Sequence, residues 1–164
     1  MDELKLIGYY MSCCCSKNLD CKSVDVLSKI LADSYTLFLK TQNVHWNVEA
    51  PEFRSIHLMT EEHYNDLFMA IDIIAERIRM VGGKAPATFE EFSKLASFSD
   101  KLDSSDAMAM MEELLKSHKT ICDDLRSGIE IISESNDFGT VDVLNARLAF
   151  HEKTIWMLKA TLNK

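Results

Sequence analysis

Residues 57–79 read HLMTEEHYNDLFMAIDIIAERIR. Within them His57, Glu61, Tyr64, Phe68, Ile71, Ala75 and Ile78 recur at alternating spacings of four and three. An α-helix turns once in about 3.6 residues, so that spacing holds one stripe on one side. Gly82-Gly83 closes the segment, as helix C-termini favour. The same period occurs three more times. Leu27, Leu31, Ser34, Phe38, Thr41 and His45 predict a first long helix from Ser23 to Val48, and Pro51 interrupts before the second. Met111, Leu115, His118, Cys122, Leu125, Ile129 and Ile132 predict a third, capped by Ser104 or Ser105. Asn136 to Gly139 reads as a turn. Leu144, Leu148, His151, Ile155, Leu158 and Leu162 then predict a fourth, with Thr140 as its cap and Asp142 at its positive end. Thr88-Phe89-Glu90-Glu91 is a capping box that opens a short helix to about Ser97. The reading is all-α: a four-helix bundle with a short extra helix between its second and third long helices.

Composition agrees and removes other classes. The chain has 164 residues, 47% apolar and 27% charged, enough for one domain with a substantial core. Five Gly and two Pro are too few for a turn-rich sandwich or barrel. No apolar run reaches the roughly 18 residues of a membrane span. The formal charge is −8, the wrong sign for a generic polyanion binder. Five cysteines, Cys13, Cys14, Cys15, Cys21 and Cys122, are an odd count with three adjacent. That pattern fits reduced thiols in a cytoplasm better than a disulfide framework. Residues 1–22 read as an N-terminal cysteine-containing tail and residues 23–164 as the bundle. The start Met1-Asp2-Glu3 lacks the basic segment of a signal peptide.

The polar residues on the stripes carry the chemistry. His45, His57, Glu61, Asp72 and Glu76 are nitrogen and oxygen ligands suited to a divalent transition metal. With His57 at zero on a helical wheel, Glu61 falls near 40°, Asp72 near 60° and Glu76 near 100°, at about 100° per residue. All lie on one side of the second helix. Yet Asp72 and Glu76 stand 15 residues beyond His57 and Glu61, roughly 22 Å along the axis at about 1.5 Å per residue. One chain cannot close both pairs on one centre. A second copy, antiparallel about a two-fold axis near residues 66–67, brings His57 and Glu61 of one chain against Asp72 and Glu76 of the other, twice over. His45, at the end of the first helix, adds a second nitrogen. A site inside one bundle, built on Glu-x-x-His, is disfavoured because no Glu here has a His three residues later. His118 and His151 read as hydrogen-bonded core residues.

The runs His45-Trp46-Asn47-Val48, Pro51-x-Phe53, His57 and Ile74-Ala75-Glu76-Arg77-Ile78-Arg79 resemble the Dps family of mini-ferritins. Leu31-Ala32-Asp33 through Thr41-Gln42-Asn43 and the ending Ile155-Trp156-Met157 extend the likeness over about residues 25–162. The resemblance implies a ferritin-like fold and a hollow homo-dodecamer with Fe(II)-oxidising centres at two-fold interfaces. It implies His45, His57 and Glu61 as ligands from one chain and Asp72 and Glu76 from its mate, with Trp46 beside the centre. The family more often has Asp where Glu61 stands, so the carboxylate remains with one more methylene of reach. The implied activity is a ferroxidase in which hydrogen peroxide takes one electron from each of two Fe(II) ions, with ferric oxide stored in the shell against oxidative damage. Family pores are acidic near the turn before the last helix, which implies Glu134, Asp137 and Asp142 here.

Direct DNA binding is not expected. Residues 1–22 carry Lys5, Lys17 and Lys22 against Asp2, Glu3 and Asp20, a net charge of zero. Twelve copies at −8 each give a particle of about −96, which repels phosphate backbones. A nucleoid-coating protein and a non-enzymatic interaction bundle stand as the alternative classes.

Overall fold

The computed structural model describes the backbone of residues 18–164 and side chains from residue 21. Cys13, Cys14 and Cys15 lie outside the described residues. Five helices follow in order: α1 (Asn18–Asn47), α2 (Phe53–Met80), α3 (Phe89–Leu95), α4 (Ala107–Ser133) and α5 (Phe138–Thr161). α1 packs along α2 and α4 along α5, while α1 also meets α4 and α2 meets α5. The four long helices form the expected four-helix bundle, and α3 lies against α1. No helix among the described residues is long and apolar enough to cross a membrane.

The core is aliphatic. Leu27, Leu31, Leu37, Ile56, Leu67, Ile74, Ile78, Met111, Leu114, Ile121 and Leu125 are all fully buried. Each such side chain contributes about 1.5–3 kcal/mol of transfer free energy. The α4 stripe falls where its spacing predicts, with Met111, Leu115, His118, Cys122, Leu125 and Ile132 buried. The α2 stripe does not. Its buried face is Ile56, Thr60, His63, Leu67, Ala70, Ile74 and Ile78, about one residue off the expected set. Phe68, expected inside, is 66% exposed, as are much of Met69, Ile73 and Met80. α2 is apolar on two faces, and the expected stripe runs between them.

Local starts also differ. α1 begins at Asn18 and not at Ser23, so Cys21 and Lys22 lie within the helix. The Ser23 hydroxyl is buried and donates across the bundle to Asp137 (2.9 Å). α4 is capped by Asp106, which accepts from the Ala109 N–H at 2.9 Å; Ser104 instead accepts from the Asp106 N–H. α5 is capped by Asp137 and not by Thr140. A carboxylate both accepts the orphan N–H and complements the helix dipole, so it wins over a hydroxyl nearby. The capping box at Thr88 and Glu91 forms in both directions. α3 nonetheless ends at Leu95, because the Ser97 N–H donates to the buried Asp33 carboxylate of α1 (2.6 Å).

Candidate metal centre

The α1–α2 turn brings His45, in the last turn of α1, onto His57, in the second turn of α2. Their rings stack with centroids 3.7 Å apart and planes 17° from parallel. Each Nδ1 lies 2.8 Å from the other residue's backbone carbonyl. A carbonyl only accepts, so both Nδ1 atoms carry their protons and donate. In the neutral imidazole this leaves each Nε2 with its lone pair, the form a metal takes. The pair is clamped from both sides. Phe53 stacks on His57 at 4.9 Å, and the edge of Tyr64 meets His45 at 5.1 Å. Thr60 Oγ1 sits 3.3 Å from His45 Nδ1 and is itself tied to the Ile56 carbonyl at 2.8 Å. This shell fixes ring orientation before any ion arrives. Thr60 is a positioning residue that the sequence reading missed, since a threonine at a helical spacing carries no distinctive signal.

Glu61 follows His57 by one turn and is half-buried; its carboxylate has no partner among the described residues. Asp72 and Glu76 are exposed on α2, also without a partner among the described residues. They stand 15 residues along the same helix; the chain by itself brings His45 onto His57, keeps Glu61 one turn further along α2, and leaves the other two apart. Among the described residues, no group of three His, Cys, Asp or Glu side chains converges closely enough to hold a metal ion. Trp46 is 66% exposed and makes no ring contact within the described residues.

The three acidic residues before and within α5 differ in environment. Asp137 is engaged: it accepts from Arg77 Nη2 (2.5 Å), Ser23 Oγ (2.9 Å) and the Thr140 N–H (3.1 Å). Burial works to raise its pKa, but the hydrogen bonds from Thr140, Ser23 and Arg77 outweigh it and hold the carboxyl below its usual range. Arg77 also donates to Thr140 Oγ1 at 3.0 Å. Gly139 permits this knot, because a Cβ there would lie 2.9 Å from the Arg77 guanidinium. Glu134 is exposed and lies 3.9 Å from Lys22, and Asp142 is exposed with no partner among the described residues.

A second polar group sits deep in the bundle. His118 and His151 share an Nδ1–Nδ1 hydrogen bond of 2.9 Å, and His63 packs edge-on to His118 at 6.2 Å. Desolvation pushes His118 and His151 well below the usual imidazole range, and pushes His63 down to about 4. All three are therefore neutral at pH 7. Nearby Arg147 pairs with Asp66 at 2.7 Å. Position on an apolar stripe gave away His118 and His151; His63 is revealed only by the true register of α2.

A family model described as a ferritin-like domain matches residues 24–164. "DNA protection during starvation protein 2" of Bacillus anthracis is 38% identical over 141 residues, which are 86% of this chain and 97% of that one. The crystal structure of a Dps protein from Bacillus brevis superposes with a TM-score of 0.87 at 29% identity, over 90% of this chain and 99% of that one. A Dps protein from Vibrio cholerae O1, described as a member of a broad superfamily of ferritin-like diiron-carboxylate proteins, gives 0.84 at 30% identity, over 88% and 91%.

Proposed function

The chain belongs to the Dps family of the ferritin-like superfamily, and from that premise we propose that it is a peroxide-consuming ferroxidase and iron store. The observation that carries the reading is the His45–His57 pair, whose Nδ1 protons are tied to carbonyls and whose Nε2 lone pairs are left for an ion. Fe(II), the substrate, binds through those nitrogens and Glu61 of one chain. Asp72 and Glu76 come from a second copy. Two imidazoles suit a borderline ion, and the carboxylates stabilise the charge that rises as Fe(II) becomes Fe(III). Hydrogen peroxide takes one electron from each of two Fe(II) ions, its O–O bond breaks, and water forms with two protons from solvent. Taking both electrons together avoids release of a hydroxyl radical.

The exposed apolar face of α2 supports the pairing. Phe68, Met69 and Ile73 are exposed on α2 just beyond the residue 66–67 midpoint about which the two-fold pairing is built. A patch of that kind marks an interface. Six such pairs make the hollow dodecamer, whose acidic balance attracts cations to its interior. Trp46 lies beside the centre as an interface residue. Ferrous ions pass an acidic opening at the start of α5, lined by Glu134 and Asp142. Asp137 was expected in that lining as well; its oxygens are occupied by Arg77, Ser23 and Thr140, so it acts as the support beneath it. The protein works in the cytoplasm, where its thiols stay reduced. It protects DNA by removing Fe(II) and peroxide and not by coating, given its net charge of −8 per chain.

The test is anaerobic loading with Fe(II), then half an equivalent of hydrogen peroxide, following ferric absorbance and co-elution of iron with the particle. Fast oxidation with iron retained, lost in the His57→Ala/Asp72→Ala double variant, supports the reading. Oxidation no faster than buffer, with iron precipitating, defeats it.

A further inference from the structure

Six buried side-chain nitrogens have no hydrogen-bond partner among the described residues: Nδ1 and Nε2 of His63, Nε2 of His118, Nε2 of His151, and Nε and Nη2 of Arg147. All six belong to one place in the bundle. His118 and His151 share their Nδ1–Nδ1 bond of 2.9 Å, and the His63 ring stands 6.2 Å from the His118 ring. The Phe150 ring meets His63 at 6.2 Å, His118 at 6.3 Å and His151 at 5.2 Å. The Arg147 guanidinium lies over the same Phe150 ring at 4.4 Å. Its charge reaches His118 and His151 and helps to keep them neutral. The group joins α2 through His63, α4 through His118, and α5 through Arg147 and His151. Buried polar atoms without partners are costly, so six in one chamber call for an occupant.

The balance of hydrogens and lone pairs identifies it. A neutral imidazole carries one N–H and one lone pair on its nitrogens. In the His118–His151 pair one Nδ1–H is given to the other Nδ1, which leaves one Nε2–H and one bare Nε2. His63 leaves one N–H and one lone pair. Arg147 leaves one hydrogen on Nε and two on Nη2. Five donor hydrogens therefore face two lone pairs. Water does not close the gap, because each molecule brings two hydrogens and two lone pairs and leaves the surplus of three unchanged. A metal ion fits worse. It finds two bare nitrogens beside a guanidinium, and no three ligand-type side chains converge among the described residues. An occupant that only accepts does close it. Asp66 pairs with Arg147 through Nη1 at 2.7 Å, but its side chain is 37% exposed and screened by water, whereas Nε and Nη2 are buried. We propose that the chamber between α2, α4 and α5 binds one small monovalent anion of the chloride class, held by Arg147 and by the N–H groups of His63 and of the His118–His151 pair. A spherical acceptor suits donors that arrive from three helices. The site is separate from the His45–His57 pair, and its occupant ties α2, which carries His57, Glu61, Asp72 and Glu76, to α4 and α5.

The experiment uses the full-length assembled particle, freed of halide by dialysis into sodium gluconate, whose anion is too large to enter the core. Crystals grown with bromide as the sole halide are measured at the bromine absorption edge. Urea unfolding at fixed protein concentration and ionic strength is then followed while chloride replaces gluconate. The expected map has an anomalous peak within hydrogen-bond distance of Arg147 and His63. The expected urea midpoint rises with the logarithm of chloride concentration once the site begins to fill, as binding to the folded form alone requires. His63→Leu removes one donor and suits an apolar core; it should move the chloride response to about tenfold higher concentration, the worth of one hydrogen bond to a charged group. His63→Gln, which keeps an N–H, should restore most of the response. Bromide at surface positions alone, with water in the chamber, overturns the proposal. A chamber peak without a chloride-dependent midpoint means an adventitious ion only and overturns it too. A chloride response undiminished in His63→Leu also overturns it. The wild-type map and chloride series decide the matter even where the leucine variant does not assemble.

Discussion

Replacing Asp137 by alanine separates a structural acid from an ion-guiding one. The carboxylate caps α5 through the Thr140 N–H, receives the Arg77 guanidinium and holds the buried Ser23 hydroxyl. Loss of the cap costs about 1 kcal/mol. The charge-assisted bond to Arg77 adds about 1.5 kcal/mol, the low end of its range, since both side chains keep some exposure. Stranding Ser23 adds about 1 kcal/mol. Asp137→Ala is therefore expected to destabilise the fold by roughly 3–4 kcal/mol, and Asp137→Asn, which keeps an acceptor and loses the charge, by about 1–2 kcal/mol. Asp142→Ala, with no partner to lose, stays within about 0.5 kcal/mol of wild type. Urea unfolding followed by helical circular dichroism measures all three, at one protein concentration because assembly contributes to apparent stability. The pH dependence has a definite sign. The folded carboxyl titrates below its unfolded value of 3.8, so its contribution is complete above that pH and is lost as pH falls through the folded value. The gap between wild type and Asp137→Ala therefore narrows below about pH 4. If Asp137→Ala costs under about 1 kcal/mol, or Asp142→Ala costs as much, the assignment of Asp137 as a support is wrong.

Other outcomes follow from the same structure. His118 and His151 are buried neutral and titrate well below 6.5, so the unfolded chain binds more protons beneath that pH and stability falls on acidification. Between pH 6 and 5 the slope attributable to the pair approaches roughly 1.4 kcal/mol per pH unit for each histidine; urea titrations of a His118→Leu/His151→Leu variant should be flatter by that amount, and an unchanged slope counts against neutral burial. Phe68→Glu puts like charges on either side of the proposed two-fold axis while leaving the core intact; sedimentation velocity should show loss of the assembled particle with helicity retained, and a particle of wild-type size refutes the α2 interface. The particle should leave duplex DNA unretarded in a gel at about 0.15 M salt, where charges are screened beyond roughly 8 Å, and a shifted band there contradicts protection by chemistry alone.

The sequence revealed the architecture well because each long helix repeats a 3.6-residue period and α3 carries both halves of its capping box. It misled where two solutions satisfy the same pattern. α2 is apolar toward the core and toward solvent, so a stripe drawn through His57, Tyr64 and Phe68 lies between the faces, and only packing against α1 and α5 selects Ile56, Leu67 and Ile74 as interior. Neighbouring cap residues posed a similar choice: Ser104, Ser105 and Asp106 compete for one helix start, and Asp137 competes with Thr140 for another. Contacts between residues far apart in the chain, such as Arg77 with Asp137, were invisible because no local period encodes them. Of the candidate site, the placement of His57, Glu61, Asp72 and Glu76 along one helix was legible. The reciprocal Nδ1–carbonyl lock and the Tyr64 edge against the His45 ring were not, since both depend on how the α1–α2 turn folds back.

The central claim is that each iron centre draws His57 from one chain and Asp72 from another, and subunit mixing tests it directly. His57→Ala and Asp72→Ala chains are produced separately and also co-expressed in equal amounts. In a mixed pair, one centre inherits both substitutions and the other has neither. Random pairing makes half the dimers mixed, so about a quarter of all centres regain the wild-type ligand set. The account predicts near-background peroxide-driven Fe(II) oxidation in each single variant and about a quarter of the wild-type burst in the co-expressed particle. A co-expressed particle as inactive as its parents would place His57 and Asp72 in centres of their own chain and contradict the account.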